Sequence, residues 1–136
     1  MKITVSQAEG RVPVTLLHIH GDLDASSYRD LIAKGQEVYS TGAQNILLDL
    51  SDMPYMSSSG LVALHSIAQM LRGEQPPDPE SGWDAFHAID RDRDSGLQQH
   101  VKLLNPQPQA DKVLETIGFK RFFEIHTDLD KAIASF

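Results

Sequence analysis

The sequence predicts an α/β protein in which a mostly parallel, mixed sheet of about five strands is connected through about four helices. Two observations support this prediction. Apolar residues recur at every second position in some segments and at helical spacing in others, and the two kinds of segment alternate. The resulting order is β-β-α-β-α-β-α-β-α, and a helix between two strands normally makes those strands parallel.

Length and composition are those of one globular domain, which we expect to span residues 1–136. The chain has 19 acidic and 12 basic side chains and a formal net charge of −7, which argues against nonspecific nucleic-acid binding. It has no cysteine, which excludes disulfides, thiolate metal sites and cysteine nucleophiles. Because no apolar run is long enough to span a membrane and no signal peptide is evident, a cytoplasmic domain is expected.

The chain begins with two strands and a helix. Ile3 lies in the first strand, and residues 14–20 carry apolar side chains on both faces, as a central strand does. Gly21 ends that strand. Asp24 stands where the N-cap of the first helix is expected, and Gly42 closes this helix.

A buried strand and a second helix follow. Residues 45–50 form a nearly continuous apolar run, which is typical of an interior parallel strand. A serine-rich turn at 57–60 then leads into the helix. Its apolar stripe consists of Leu61, Leu64, Ala68 and Leu71. Val62 and Met70 fall off this stripe, where exposed apolar contacts are expected.

Residues 73–100 form an acidic, proline-rich insertion. They hold seven acidic residues against two arginines and thus account for five of the seven net negative charges. Three prolines between 76 and 79 oppose helix formation, so a long polar loop is expected. Trp83, Phe86 and Ile89 are spaced to form one short amphipathic turn that docks on the domain.

Beyond the insertion the two periodicities alternate again. Residues 101–104 are predicted as a short strand, 107–117 as a third helix that stops at Gly118, and 122–125 as the last strand. Thr127 begins a sequence that resembles a capping box and opens the final helix.

Two polar loops are candidates for a functional site. Residues 21–24 and 55–60 each follow a strand and precede a helix. In sheets of this kind the loops after the strands meet at one edge, where ligands and partners tend to bind. We therefore expect these two loops to lie together.

Both loops resemble the STAS domain family, which includes bacterial anti-sigma-factor antagonists and the cytoplasmic domains of sulfate-type transporters. Residues 21–24 (GDLD) are similar to the family's Gly-Glu-Leu-Asp. Residues 47–51 (LLDLS) and 55–61 (YMSSSGL) are similar to its strand and its Asp-Ser-Ser-Gly-Leu motif. The element order agrees as well, and 73–100 lies where these domains vary in length.

The resemblance implies a protein-interaction switch that is not an enzyme and needs no cofactor. In the family, an anti-sigma factor that is itself a serine kinase phosphorylates the first serine of Asp-Ser-Ser-Gly, and a dedicated phosphatase removes the phosphate. That serine corresponds to Ser58. The unphosphorylated domain would bind the kinase and release its sigma factor. The docking surface would consist of Asp24, Ser57, Ser59, Gly60 and Leu61.

One departure from the family motif keeps other functions open. Ser57 stands where the family has an aspartate, which could orient the serine hydroxyl or help present a metal-nucleotide. A second interpretation is therefore a phosphorylation-independent scaffold in a signalling or transporter-associated assembly. A third is a module that binds a small ligand or lipid in a cleft lined by Trp83 and Phe86.

Simpler interpretations exist for the same residues. Serine is a favoured N-cap, so residues 57–59 could merely cap the second helix. Ser58 could be a hydrolase nucleophile, but the Gly-x-Ser-x-Gly motif lacks its first glycine and no histidine is placed with it. His18 and His20 share a strand face and could bind a metal as a pair. With no third ligand identifiable in the sequence, no metal site is predicted.

Overall fold

The computed structural model describes residues 1–75, 83–92 and 96–136, where a five-stranded mixed sheet and five helices confirm the predicted fold class. The strands are β1 (Lys2–Glu9), β2 (Pro13–His20), β3 (Ile46–Asp52), β4 (Val101–Leu104) and β5 (Ile125–His126). The helices are α1 (Tyr28–Ser40), α2 (Ser58–Leu71), α3 (Trp83–Asp92), α4 (Pro108–Ile117) and α5 (Leu129–Ala134). Within these ranges no helix is long and apolar enough to cross a membrane.

The strands follow one another across the sheet in chain order. β1 pairs antiparallel with β2, and the β2–β3, β3–β4 and β4–β5 pairs are parallel. Each parallel connection contains a helix, as the alternation of periodicities predicts. The carboxyl ends of β2, β3 and β4 therefore lie at the same edge of the sheet.

The main hydrophobic core lies on one face of the sheet and includes residues of α1 and α2. Leu17 and Ile19 of β2 and Leu48 of β3 are fully buried in it. The two helices approach closely because Gly35 has no side chain, since a Cβ there would lie 2.8 Å from Ile67 Cγ1. Close packing on this face explains the strict apolar pattern of the two central strands.

Between Gly60 and Met70 the second helix is buried on every side, so the expectation that Val62 and Met70 are exposed is wrong. Val62 is 6% and Met70 is 8% exposed. The helix packs against α1, α3 and β4, and α3 belongs to the segment that was expected to be a loop. Apolar or small residues occur on all faces of this helix, and that sequence pattern is typical of a buried helix.

The opposite face of the sheet is only partly covered. Val14, Leu47 and Leu104 form a small second cluster there with Ala132 of α5. The helix α5 has only six residues. The part of this face near the ends of β2 and β3 therefore stays accessible to solvent.

Two helices begin later than the sequence predicts. The N-cap of α1 is Ser27, so Asp24 is not the capping residue. The N-cap of α5 is Asp128 instead of Thr127, and the Asp128 carboxylate accepts a hydrogen bond from the Lys131 N–H at 3.0 Å. Serine, threonine and aspartate are all good caps, so apolar spacing cannot decide between neighbouring candidates.

The last strand also lies later in the chain than predicted. The residues expected as strand 122–125 follow a 3₁₀ turn at Phe119–Arg121, and β5 consists of only two residues. The phenylalanines of this segment pack in the hydrophobic core and do not form a strand. Its buried rings, with centroids 4.8 to 5.6 Å apart, are Phe119, Phe122 and Phe123.

A ten-residue helix, α3, lies within the segment predicted to be a long polar loop. The amphipathic turn predicted from Phe86 and Ile89 is part of this longer helix. Ile89 is buried in the main core, whereas Phe86 is 40% exposed. Residues 76–82 and 93–95, and the side chain of Trp83, lie outside the described residues.

His65, in the middle of α2, is buried and paired with α3. Its Nε2 lies 2.9 Å from Asp92 Oδ2, and the same oxygen accepts a hydrogen bond from Arg72 Nη2 at 2.7 Å. Burial lowers the pKa of His65 below its ordinary value, an effect that the hydrogen bond to Asp92 opposes. The fold therefore favours the neutral imidazole.

We expect the free energy of unfolding to fall on acidification because of His65. An unfolded histidine has a pKa of about 6.5, so the stabilisation from neutral His65 is complete above that pH and is lost as the pH falls through the lower folded-state pKa. His65→Gln keeps a donor for Asp92 but does not titrate. Denaturant titrations between about pH 7 and about pH 5 should show a smaller loss of stability in this variant than in wild type.

The wild-type protein, measured at the same pH values, is the reference for this variant. Equal pH slopes for His65→Gln and wild type would contradict the role assigned to His65.

Candidate functional site

The loops after β2 and β3 lie side by side at one edge of the sheet, as the sequence predicts. Backbone hydrogen bonds join them: the Leu23 N–H donates to Tyr55 O at 3.0 Å, and the Ser57 N–H donates to Leu23 O at 2.9 Å. These contacts continue the β2–β3 pairing beyond the two strands. Residues 21–24 and 55–60 are therefore one structural unit, which we call the paired loops.

Two glutamines near the start of α4 hold the end of β3 and the loop that follows it. Gln109 Nε2 donates to Met56 O at 3.0 Å, and Gln109 Oε1 accepts from the Met56 N–H at 2.7 Å. Gln107 Nε2 donates to Ser51 O at 2.8 Å. An amide side chain satisfies a donor and an acceptor together, so the loop is fixed without added charge. Sequence reasoning missed both glutamines, although their position after β4 places them at the same edge.

The three serines of the loop differ in exposure. Ser57 is the N-cap of α2, Ser58 is its first residue and is exposed, and Ser59 is partly buried. The first N–H groups of a helix have no intrahelical partner and lie at the positive end of the helix dipole. Ser58 therefore presents its hydroxyl to solvent beside groups that can accommodate a phosphate.

Ser57 does not cap α2 through its side chain. Its hydroxyl makes no capping hydrogen bond, and within the described part of the chain Ser57 Oγ is buried without a partner. The backbone of Ser57, through the bond to Leu23, is what fixes the start of the helix. Helix capping therefore does not explain this serine.

Gly60 and Leu61 lie beneath the exposed surface of the paired loops. Leu61 is 3% exposed. A Cβ on Gly60 would lie 2.5 Å from Met56 Cγ and 3.1 Å from Leu23 Cδ2, so a larger residue here would push against the loops. Any contribution of these two residues to docking is through the shape of the loops.

Asp24 orders its own loop. Its Oδ1 accepts hydrogen bonds from Ser26 Oγ at 2.6 Å and from the Ser26 N–H at 2.9 Å. The same two hydrogen bonds hold the pKa of Asp24 below its ordinary value. The carboxylate is thus charged and held in a fixed turn, and its predicted contact with a partner stays a prediction.

The chain segment that carries Ser58 is uncharged. Residues 53–71 contain no acidic residue, lysine or arginine. In the same loop Tyr55 is 44% exposed, and exposed aromatic residues are frequent centres of protein interfaces. The sequence prediction did not select Tyr55, although an aromatic residue in a strand-to-helix loop is a usable signal.

The hydrolase and ligand-cleft interpretations gain no support from the described residues. In that part of the chain, Ser58 has no histidine among its hydrogen-bond partners. A cavity of about 320 Å³ lies between α2 and residues 96–101, with Arg72 and Leu97 in its walls. Phe86 does not line this cavity, and the Trp83 side chain lies outside the described residues.

A model of the STAS domain family matches residues 6–75, just over half of the chain. The matched region runs from β1 through α2 and contains both paired loops. No curated protein matches the chain by sequence.

Solved structures of the same fold cover nearly the whole chain. A putative anti-sigma factor antagonist from Thermotoga maritima has a TM-score of 0.70 and 17% identity, over 96% of this chain and 91% of its own. The anti-sigma factor antagonist SpoIIAA in its unphosphorylated form has a TM-score of 0.65 and 15% identity, over 97% and 93%. The Bacillus cell fate determinant SpoIIAA in its phosphorylated form has a TM-score of 0.59 and 16% identity, over 97% of this chain and 96% of its own. At these identities the likeness shows the fold.

Proposed function

Because this chain belongs to the STAS domain family, we propose that it is a cytoplasmic anti-sigma-factor antagonist, switched by phosphorylation of Ser58. The unphosphorylated domain binds an anti-sigma-factor serine kinase through the paired loops and thereby releases that kinase's sigma factor. The kinase phosphorylates Ser58, and a phosphatase reverses the modification. The structural likeness to anti-sigma factor antagonists, one of them phosphorylated, supports this proposal.

The exposed position of Ser58 within an uncharged segment, residues 53–71, is the observation that carries the proposal. Tyr55 in the same loop offers an aromatic anchor for a partner. A phosphate adds about two negative charges at pH 7. Residues 53–71 carry no formal charge that could compensate them. Desolvating a dianion at a protein contact opposes docking, so the modification works as an off-switch.

The phosphoryl group comes from ATP held by the partner. Ser58 Oγ bonds to the γ-phosphorus, the bond from that phosphorus to the β,γ-bridging oxygen breaks, and ADP leaves. The hydroxyl proton passes to a base of the kinase. Since Ser57 replaces the family's aspartate, the kinase must orient the hydroxyl without that carboxylate. The domain supplies an acceptor and a docking surface and is itself not an enzyme.

Phosphorylation should change the surface and leave the fold intact. The first N–H groups of α2, at Ser58 and Ser59, are available to the phosphate oxygens. The carboxylate of Asp24, in the adjoining loop, repels a dianion at the same edge. The favourable free energy of the reaction therefore comes from ATP cleavage by the partner.

Incubation with ATP and an anti-sigma-factor kinase that binds the domain should add one phosphate, on Ser58. Intact-protein mass spectrometry should show this addition for wild type and for the control Ser40→Ala, an exposed serine at the end of α1, and none for Ser58→Ala. Fragment spectra should place the phosphate on Ser58. A kinase that binds the domain tightly yet leaves Ser58 unmodified would show that the switch mechanism is wrong.

A phosphorylation-independent scaffold is the second candidate, and Ser57 is the observation that favours it. In that case the partner binds the same paired loops, but no phosphate is transferred. The mass-spectrometric experiment separates the two functions, because only the switch requires modification of Ser58 by the bound partner.

A further inference from the structure

Within the described residues, one group of histidine and carboxylate side chains lies close enough to hold a metal ion: His18, His20 and Asp52. Their nearest ligand atoms lie within 4.8 Å of one another. His18 Nε2 is 2.9 Å and His20 Nδ1 is 3.6 Å from Asp52 Oδ2. The three side chains lie at the open end of the partly covered sheet face, with more than 30% of each exposed.

A register irregularity between β2 and β3 creates this cluster. His18 pairs with Asp49, and His20 pairs with Asp52, so two positions on β2 match three on β3. Without the extra residue, strand alternation would put Asp49 and Asp52 on opposite faces of the sheet. Bulges of this kind re-aim side chains and are frequent beside functional sites. The irregularity explains why no third ligand could be identified from the sequence.

Neighbouring groups orient the ligands. His20 Nε2 lies 3.4 Å from Thr4 Oγ1, and an N–H donated to that hydroxyl leaves the Nδ1 lone pair toward Asp52. Asp49 Oδ1 accepts hydrogen bonds from the Ser51 N–H at 3.0 Å and from Ser51 Oγ at 2.7 Å. Asp49 Oδ2 then lies 3.6 Å from His18 Nε2 and adds negative charge that favours a cation.

We propose that His18, His20 and Asp52 form a binding site for a divalent transition-metal ion of the zinc class. Imidazole nitrogens with one carboxylate oxygen are a ligand set that such ions prefer, and three protein ligands leave a position for water. Tetrahedral zinc with bonds of about 2.0–2.1 Å has ligand atoms about 3.3 Å apart. Small side-chain rotations on an exposed face bring the three ligand atoms to that spacing.

Metal binding would join the ends of β2 and β3 beside the paired loops. The Asp52 carbonyl accepts a hydrogen bond from the Gly21 N–H at 3.0 Å, so the metal-ligating residue also holds the start of the first loop. An ion that binds only the folded state raises the free energy of unfolding with its concentration. The site uses neither Ser58 nor a kinase, so it stands or falls independently of the proposed function.

Titration of tag-free, metal-stripped protein with Zn²⁺ against a fluorescent zinc chelator tests the site. We expect one ion per chain for wild type, and at least about tenfold weaker binding for each of His18→Ala, His20→Ala and Asp52→Asn. The matched control His100→Ala, an exposed histidine paired with Asn45, should bind as wild type does. Circular dichroism of each variant without metal checks that the fold is kept.

Long-range proton–nitrogen NMR spectra give a second readout that is independent of affinity. With Zn²⁺ bound, the perturbed ring nitrogens should be Nε2 of His18 and Nδ1 of His20. Absence of zinc binding by wild type, or equal binding by wild type and the three variants, would show that the cluster is only a set of surface ion pairs and would overturn the proposal.

Discussion

Replacement of Ser58 by aspartate is expected to weaken binding of the anti-sigma-factor kinase by at least about tenfold, whereas Ser58→Ala should bind as wild type does. Alanine removes only an exposed hydroxyl. Aspartate places a full charge where residues 53–71 carry none. When the partner covers this position, the carboxylate loses its water without gaining a counter-charge, and that desolvation opposes docking.

Affinity can be measured by calorimetry with the purified kinase, using two further variants. Ser40→Asp adds the same charge at an exposed position at the end of α1, and it should bind as wild type does. Tyr55→Ala removes the exposed aromatic ring of the paired loops without changing the charge, and should also weaken binding. Equal affinities for Ser58→Asp and Ser58→Ala would remove the electrostatic basis of the switch and favour the scaffold.

Much of the fold could be predicted because it depends on local periodicity. The alternation of strand and helix segments fixed the parallel order of the sheet, and the two polar loops were correctly expected at one edge. Helix caps could not be resolved in the same way, because Asp24 and Ser27 are both good capping residues within one turn of each other. The choice depends on hydrogen bonds that sequence spacing does not encode.

Other features depend on contacts between distant parts of the chain. The burial of Val62 and Met70 follows from α3, which lies in a segment whose charge and prolines predict a loop. The Gln109 clamp on Met56 joins residues that are 53 positions apart. Asp52 reaches the two histidines only through a register irregularity between β2 and β3. An irregularity of one residue does not change the apolar pattern of the sequence, so it could not be predicted.

Replacement of Gly60 by valine is expected to destabilise the domain by about 2–3 kcal/mol, because overpacking a close contact has a cost of that order. A Cβ would lie 2.5 Å from Met56 Cγ and 3.1 Å from Leu23, and both side chains are fully buried. Met56 is also held through its backbone by Gln109, so the loop cannot simply move away. Thermal denaturation should show a melting temperature lower by about 10 °C.

The more specific consequence concerns Ser58, which begins the same turn of α2. Gly35→Val is the matched control, because its Cβ would meet Ile67 Cγ1 at 2.8 Å, between α1 and α2 and away from the paired loops. Both variants should lose stability, but at a temperature where both are folded only Gly60→Val should also slow phosphorylation of Ser58. A double-mutant cycle with Met56→Ala should recover part of the stability lost at Gly60. Strictly additive losses of stability would show that the close approach of Gly60 to Met56 does not shape the site.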